Sequence, residues 1–412
     1  MVLSALAIAG IAGLTLRPGQ TLGPAQPLVV WCVWCGDTGT TNLILNTVLF
    51  APLGAGLALL GLRRKAALTA GLGLSLLIEM LQLTVLEGRY GALGDVLANT
   101  LGVWLGHRVT NAGMNHGRLL SRRGYLARSL LAWGFAISIP ALVAMAFQPA
   151  PGPGQRAWFG QWANVLANLD PFGGEVLEVR LNGLPVPRGR LPQAERLRQA
   201  WREDPLRFEA KIRTGPIPAR RALVATIAED LVGWPAAIWQ DGADAILSLR
   251  LAAADLGVGS PQVRLLAAFA QPAGTELRLS IEDSAGVLTA RAEGGGRDRV
   301  ARVPLKVSAA WITMWPWSKA LGGETPLRTT AWLIGFAGVT AGLLGFWTTR
   351  AHAAKMGAGL AATVPLITHA AIPAWGGLPG GTFAEWAATT VATAAGFVLG
   401  LLLAGPKARA DR

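Results

Sequence analysis

The sequence predicts a multi-pass α-helical membrane protein with an all-β sandwich inserted between its helices. Hydrophobic residues make up 52% of the 412 residues, which is high for a soluble protein. Several apolar runs reach the roughly 17 to 25 residues that a helix needs to cross a bilayer. A long central segment instead shows short runs in which apolar and polar residues alternate, as they do in half-buried strands.

About eight apolar runs are predicted to cross the membrane. The first, Met1 to Leu16, is short and has no charged residue before its apolar stretch, so a short first span and a cleaved signal peptide are alternatives. The other spans are predicted from Asn42 to Leu62, Ala66 to Leu86, Leu93 to about Thr110, Ser129 to Phe147, Thr329 to Thr349, Met356 to Trp375 and Phe383 to Ala404.

The basic residues decide the predicted orientation because they lie in four segments between or after the spans. These segments are Arg63 to Lys65, Arg108 to Arg128, Arg350 to Lys355 and Lys407 to Arg412. With eight spans all four fall on one side, and the positive-inside rule makes that side the cytoplasm. Both termini are then cytoplasmic. The net charge of +13 therefore indicates membrane lipids, and no nucleic acid, as the partner.

The predicted outer segment divides into a linker and a sandwich. Runs such as "LRFEAKI", "AILSLRL" and "ELRLSIED" are separated by Gly, Pro, Asp and Ser, and their regular spacing predicts antiparallel strands. Before them we expect one leading strand at "EVLEVRLNG" and one amphipathic helix at "AERLRQAWRE". The predicted domains are residues 1–147 with about five spans, a mixed linker at 148–205, the sandwich at 206–326 and a C-terminal transmembrane segment at 327–412 with about three spans.

Polar side chains follow one face of neighbouring spans. Ser75, Glu79 and Gln82 are spaced i, i+4 and i+7, so they share one face of the third span. Asp95 and Asn99 repeat this pattern on the fourth span. The helical rise of about 1.5 Å per residue places Glu79 in the outer half of its span.

A charge within the membrane costs about 2.5 to 3.5 kcal/mol, so it usually has a partner or faces water. The nearest candidate cation is Arg89, in the outer loop that joins the third and fourth spans, where its forked donors fit a carboxylate or a phosphate. One hypothesis is a ligand site near the outer leaflet; the alternative is hydrogen bonding between helices only. The candidate ligand-binding residues are Asn46, Ser75, Glu79, Gln82, Arg89, Asp95 and Asn99.

The runs "NLILNTVLFAPLG", "SLLIEMLQL" and "GRYGALGDVLANTLGVWLG" resemble the VanZ-like family of bacterial membrane proteins over about residues 28 to 110. Asn42 departs from the family, which often has Asp there. The family takes its name from a protein that lowers susceptibility to the glycopeptide teicoplanin. The resemblance therefore implies an envelope function in the bacterial cytoplasmic (inner) membrane, without naming a reaction. The matching residues are Asn46, Phe50, Pro52, Gly54, Ser75, Glu79, Gln82, Arg89, Asp95, Asn99, Gly102 and Gly106.

The order of runs in the outer domain resembles a concanavalin A-like or laminin-G sandwich. This resemblance implies binding of a sugar as one role. A spacer and a protein-binding surface are alternatives, because a fold does not determine a function.

Four further residues, outside the polar faces of the spans, are candidates for chemistry. Cys32 and Cys35 form a C-x-x-C pair that an oxidising outer compartment favours as a disulfide; free thiols and a redox or metal role are the alternatives. His369 and Glu385, near the predicted outer ends of the last two spans, are interpreted as solvated at the interface, with extension of a polar cavity as the alternative. Nucleotide-binding and metalloprotease motifs are absent from the sequence, which predicts no cofactor and no metal.

Three functional classes are compatible with the sequence. The favoured class is a non-enzymatic envelope protein that binds an amphiphile, such as a lipid-linked envelope precursor or a lipoglycopeptide. The second is a membrane enzyme with Glu79 or Asp95 as general base and Arg89 on a phosphate. The third is a proton-coupled transporter that uses Glu79, although no inverted repeat is evident. A scaffold held together by interhelical hydrogen bonds is the structural alternative.

Overall fold

A computed structural model describes residues 2–16, 32–34, 38–86, 91–114, 122–151, 157–163, 170–229, 233–309, 320–321, 333, 335, 337–351, 359 and 362–402. The chain forms two compact units. The first, the N-terminal unit, contains the chain up to Leu119 together with Leu256–Gly259. The second, the sandwich unit, contains the β-sheets and the later helices.

The N-terminal unit is helical in the residues that the structure describes. Its helices are α1 (Val2–Thr15), α2 (Gly39–Leu59), α3 (Arg64–Thr84) and α4 (Leu93–Met114). A small apolar core takes side chains from each of these helices and excludes polar groups. This core consists of Ile11, Phe50, Leu53, Ile78 and Val103.

Helices α2 and α4 approach each other closely through glycines. A Cβ atom at Gly102 would lie 2.3 Å from the carbonyl oxygen of Thr47, and one at Gly106 would lie 1.9 Å from that of Ala51. No larger residue fits at either position without separating the helices. These glycines thus form a close-packing face between α2 and α4.

The helices of the sandwich unit begin with α5 (Arg122–Ala146). The later part of the chain contains a π-helical turn, Gly338–Gly342, that leads into the helix Leu343–Ala351. Helical backbone at 362–375 precedes the C-terminal helix, Phe383–Leu402. The helix Leu343–Ala351 packs against both α5 and the C-terminal helix. Helix α5 belongs to the sandwich unit, although it falls within the predicted domain of residues 1–147.

Four described helices are long and apolar enough to cross a membrane: Gly39–Leu59, Arg64–Thr84, Gly124–Ala146 and Phe383–Leu402. The shorter apolar helix Val2–Thr15 accompanies them. The structure thus has several apolar helices at predicted spans. The count of eight spans and the cytoplasmic position of both termini stay predictions.

Two β-sheets occupy the centre of the sandwich unit. The strand orders are β13-β9-β8-β7-β6-β1-β4 and β12-β11-β10-β5-β2-β3. Neighbouring strands are antiparallel except for β13 beside β9. The strands are β1 (Trp158–Trp162), β2 (Glu175–Leu181), β3 (Leu184–Pro185), β4 (Gly189–Arg190), β5 (Leu206–Arg213), β6 (Ala222–Glu229), β7 (Gly233–Asp241), β8 (Asp244–Leu249), β9 (Gln262–Leu265), β10 (Glu276–Ser284), β11 (Val287–Gly294), β12 (Arg299–Pro304) and β13 (Ala320–Leu321).

The two sheets are held together by alternating apolar residues. On β5, Leu206, Phe208, Ala210 and Ile212 are buried while the residues between them are partly or fully exposed. Strand β2 contacts β6, and β10 contacts β8, so the inner faces of the sheets meet. This arrangement removes apolar area from water between the two sheets, which is the main stabilisation of such a layer.

The segment 148–205, predicted as a linker of mixed structure, contributes strands to both sheets. Strand β1 lies between β6 and β4, and β2 lies between β5 and β3. The leading strand and the amphipathic helix expected in this segment are present as β2 and α6 (Ala194–Ala200). Strand β1, "WFGQW", is not predicted from the sequence because it is short and its apolar and polar residues do not alternate strictly.

Candidate ligand site

Helix α3 buries its polar face and exposes its apolar face. Ser75, Glu79 and Gln82 are buried, and Glu79 is only 7% exposed. Leu76 and Met80, on other faces of the same helix, are exposed. A helix in water shows the opposite distribution, whereas a helix in lipid keeps its ionisable groups toward protein. The expectation that these three polar residues share one face is confirmed.

Two side-chain hydrogen bonds join the polar residues of α2, α3 and α4. Asn99 Nδ2 on α4 donates to Ser75 Oγ on α3 at 2.9 Å. Asn46 Nδ2 on α2 donates to Asp95 Oδ1 on α4 at 2.7 Å. Helix α4 is therefore the central element, since it binds one neighbour through Asn99 and the other through Asp95.

Glu79 is held at the start of α4. The backbone N–H of Ala92 donates to Glu79 Oε2 at 2.9 Å, and Gly91 approaches the carbonyl oxygen of Glu79 closely. Neither Glu79 nor Asp95 is without partners. Arg89, the predicted cation for both, lies outside the described residues, so its pairing stays a prediction.

Gln82 faces a different neighbour from the one expected. Its Nε2 donates to the backbone carbonyl of Thr15 at the end of α1, at 3.0 Å. Gln82 thus ties α3 to α1, and we define the polar cluster without it. The polar cluster consists of Asn46, Ser75, Glu79, Asp95 and Asn99.

Asn99 has an unsatisfied acceptor in the middle of the polar cluster. The side chain is 2% exposed, and its Oδ1 accepts no hydrogen bond within the part of the chain that the structure describes. A buried polar atom without a partner costs about 1 to 3 kcal/mol. A hydrogen-bond donor placed beside Asn99 would remove this cost.

The segment around Cys32 lies beside the first turn of α4. The carbonyl oxygen of Cys32 accepts the N–H of Gly94 at 3.1 Å. Cys32 is disulfide-bonded, whereas Cys35 lies outside the described residues. The Cys32–Cys35 pairing therefore stays a prediction, and a disulfide here constrains the chain next to Asp95.

His107 is a buried polar residue that sequence analysis did not assign to a site. Its Nε2 lies 3.0 Å from the carbonyl oxygen of Leu62, just beyond α2, and Asn111 lies beside the same ring. These contacts close the other end of the α2–α4 pair. The signal in the sequence was a single His on an apolar helix, which more often packs than reacts.

Glu385 and His369 are buried and bonded to protein, so their interpretation as solvated residues is wrong. Glu385 accepts the N–H of Thr382 at 2.6 Å and hydrogen bonds from Thr382 Oγ1 and Ser308 Oγ, while Lys306 Nζ lies 3.6 Å away. The Thr382–Glu385 pair is a capping box for the C-terminal helix. His369 Nε2 lies 2.7 Å from Thr389 Oγ1. Protein groups satisfy these side chains in place of water.

A family model described as VanZ/LLP1 matches residues 9–112. The match includes most of α1, the complete α2 and α3, and nearly all of α4, and it starts before the resemblance noted at residue 28. No curated protein and no solved structure matches the chain. The whole polar cluster lies within the matched segment, and residues 9–112 of this chain form a VanZ-like domain.

Proposed function

We propose that the VanZ-like domain binds the headgroup of a membrane amphiphile at the polar cluster. The observation that carries this proposal is the buried Oδ1 atom of Asn99, which has no donor among the described residues and lies among helices that also carry the buried Glu79 and the partly buried Asp95. A headgroup that donates hydrogen bonds would complete the cluster.

The energetic balance favours a ligand site over packing alone. An ionisable side chain near the middle of a membrane helix costs about 2.5 to 3.5 kcal/mol. One interhelical hydrogen bond returns about 0.6 kcal/mol on average and about 1.7 kcal/mol at most. Helix packing alone therefore returns little for placing carboxylates such as Glu79 and Asp95 among these helices. Two carboxylates exceed what helix packing requires, which supports a functional role.

Hydroxyl and amine groups are the chemistry that fits the cluster, because carboxylates and an amide oxygen accept hydrogen bonds. A lipid-linked envelope precursor and a lipoglycopeptide such as teicoplanin both carry many such groups on a sugar or peptide headgroup. Arg89 lies between α3 and α4 in the sequence, and its guanidinium is the predicted group for a phosphate of such a ligand. We place the protein in the bacterial cytoplasmic membrane, with the cluster toward the outer leaflet and the sandwich outside.

In this proposal the sandwich lies in the envelope, outside the membrane. Two packed antiparallel sheets support the resemblance to concanavalin A-like domains. Binding of a glycan by this sandwich belongs to the proposal as a secondary role.

The test compares wild type with Glu79→Gln and Asn99→Leu at matched membrane abundance. Glutamine still accepts the Ala92 N–H but lacks the charge, and Thr84→Val on the exposed face of α3 is the matched control. We expect both cluster variants to change teicoplanin susceptibility and to lose binding of labelled lipid-linked precursor, with the control unchanged. If correctly inserted cluster variants behave as wild type in both assays, the cluster serves packing only.

A further inference from the structure

A cavity lies at the ends of the apolar helices of the sandwich unit. It has a volume of about 340 Å³. One wall is formed by Phe147 and Gln148, directly after α5, and another by Gly377 and Leu378, which follow the helix Ile372–Trp375. The third wall comes from the sandwich, through the segment 201–206 and the β10–β11 turn. The cavity therefore lies where two apolar helices end and the β-sheets begin.

The walls are fixed to one another by hydrogen bonds. Gln148 Nε2 donates to the carbonyl of Gly376 at 2.6 Å. The N–H of Ala252, from the loop after β8, donates to the carbonyl of Gln148 at 2.8 Å. The cavity is thus preformed, and a ligand would not have to order these segments on binding.

Asp283 gives the cavity an unsatisfied acceptor. The residue follows Leu277, Leu279 and Ile281 at every second position of β10, so strand alternation turns its carboxylate to the buried side. It is 4% exposed, and its Oδ1 accepts no hydrogen bond from any described residue. Burial, and then the negative charge of Asp204, raise the pKa of Asp283 to about 6, against a hydrogen bond from the Gly286 backbone.

Charge and apolar groups are distributed unevenly around the cavity. Its described lining includes three carboxylates, Glu203, Asp204 and Asp283, and one cation, Arg202. Trp201 also lines it, and the Nε1–H of Trp201 has no acceptor among the described residues. The cavity therefore fits a ligand that has a cationic hydrogen-bond donor at one end and a hydrogen-bond acceptor at the other.

We propose that this cavity binds a phosphoethanolamine headgroup, with the primary ammonium between Asp204 and Asp283 and the phosphate toward Arg202 and Trp201. A primary ammonium carries one positive charge and three N–H donors, which suits two carboxylates. A guanidinium fits a phosphate in a forked geometry. This site is separate in sequence and in compact unit from the polar cluster of the VanZ-like domain, so the two proposals stand independently.

A divalent cation fits the cavity less well. Calcium takes six to eight oxygen ligands, so a calcium site needs several carboxylates arranged around one point. Within the described ranges no group of three or more His, Cys, Asp or Glu side chains is arranged to hold a metal ion. Part of the lining is also apolar, namely Phe147, Leu206 and Leu378, which suits the glycerol and upper chain of a lipid.

The test measures lipid retained by the full-length protein. Wild type is reconstituted in vesicles with equal phosphatidylethanolamine and phosphatidylcholine, extracted in mild detergent and analysed by native mass spectrometry. Phosphatidylcholine has the same phosphate but no N–H donor, so we expect about tenfold preference for phosphatidylethanolamine. Equal retention of the two lipids by wild type overturns the proposal without any variant.

Two variants test whether the preference for phosphatidylethanolamine arises in this cavity. Asp283→Asn should abolish it, whereas Glu282→Gln, the preceding carboxylate on the opposite side of β10, should retain it. Soluble phosphoethanolamine in excess should displace the lipid if the headgroup alone is recognised; failure to displace it at any concentration contradicts headgroup recognition. Retention of calcium that EDTA removes, with no preference among lipids, identifies a cation site instead and also overturns the proposal.

Discussion

Replacement of Asp283 by Asn should change how the stability of the protein depends on pH. In the unfolded chain this carboxyl has an ordinary pKa of 3.8, and in the fold the pKa is about 6. Between these values the folded state binds the extra proton, so the stability of wild type falls as pH rises through this window. The difference of about 2 pKa units corresponds to about 3 kcal/mol at most. Asparagine does not titrate and avoids this loss.

The assay is thermal unfolding of both proteins in detergent without phosphatidylethanolamine, from pH 4 to pH 8. The variant should gain stability relative to wild type as pH rises, with most of the gain between about pH 4 and 6 and a plateau above. Only the pH-dependent part is diagnostic, because a constant offset reflects the change in side chain. Glu282→Gln serves as control and should follow wild type. A gap between Asp283→Asn and wild type that is constant over the whole range would refute the reasoning.

Two further predictions concern packing and charge. Gly106→Ala should lower the Tm of the N-terminal unit by several degrees, since the new Cβ would lie 1.9 Å from a carbonyl oxygen of α2. The control Gly73→Ala should leave the Tm unchanged, because its new Cβ meets nothing within 4 Å. Equal effects of the two substitutions would contradict the close approach of α2 and α4. Arg264→Gln should destabilise the sandwich by about 1 to 3 kcal/mol in thermal unfolding, because the guanidinium bridges Asp241 at 2.6 Å and Asp244 at 2.7 Å across the β7–β8 turn. An unchanged Tm would show that these two hydrogen bonds do not stabilise the sandwich.

The positions of the helices were predictable because apolar length is a local property of the sequence. The span predicted from Ala66 to Leu86 is the helix Arg64–Thr84, and the last span ends within two residues of the predicted bound. The shared face of Ser75 and Glu79 was also predictable, because it follows from the helical period alone. Periodicity fixes which side chains lie together on one element.

The pairings between elements were not predictable from the same patterns. The Asn46–Asp95 and Ser75–Asn99 bonds require the rotation and the height of each helix relative to its neighbours, which periodicity does not supply. Gln82 shares the polar face of α3, yet it bonds to α1, because the relative height of the helices brings the end of α1 beside it. The run "ELRLSIED" predicts strand β10, but the cavity beside Asp283 is lined by residues far away in sequence, such as Phe147 and Leu378, so no local pattern indicates it.

The most direct test of the central claim is the mass of amphiphile that remains on the VanZ-like domain. The full-length protein is purified in mild detergent from cells of its own kind, and the bound molecules are weighed by native mass spectrometry for wild type, Glu79→Gln and Thr84→Val. The account predicts a bound amphiphile with a hydroxyl- or amine-bearing headgroup on wild type and Thr84→Val, and its loss from Glu79→Gln. The same bound mass on all three proteins would contradict a ligand site at the polar cluster.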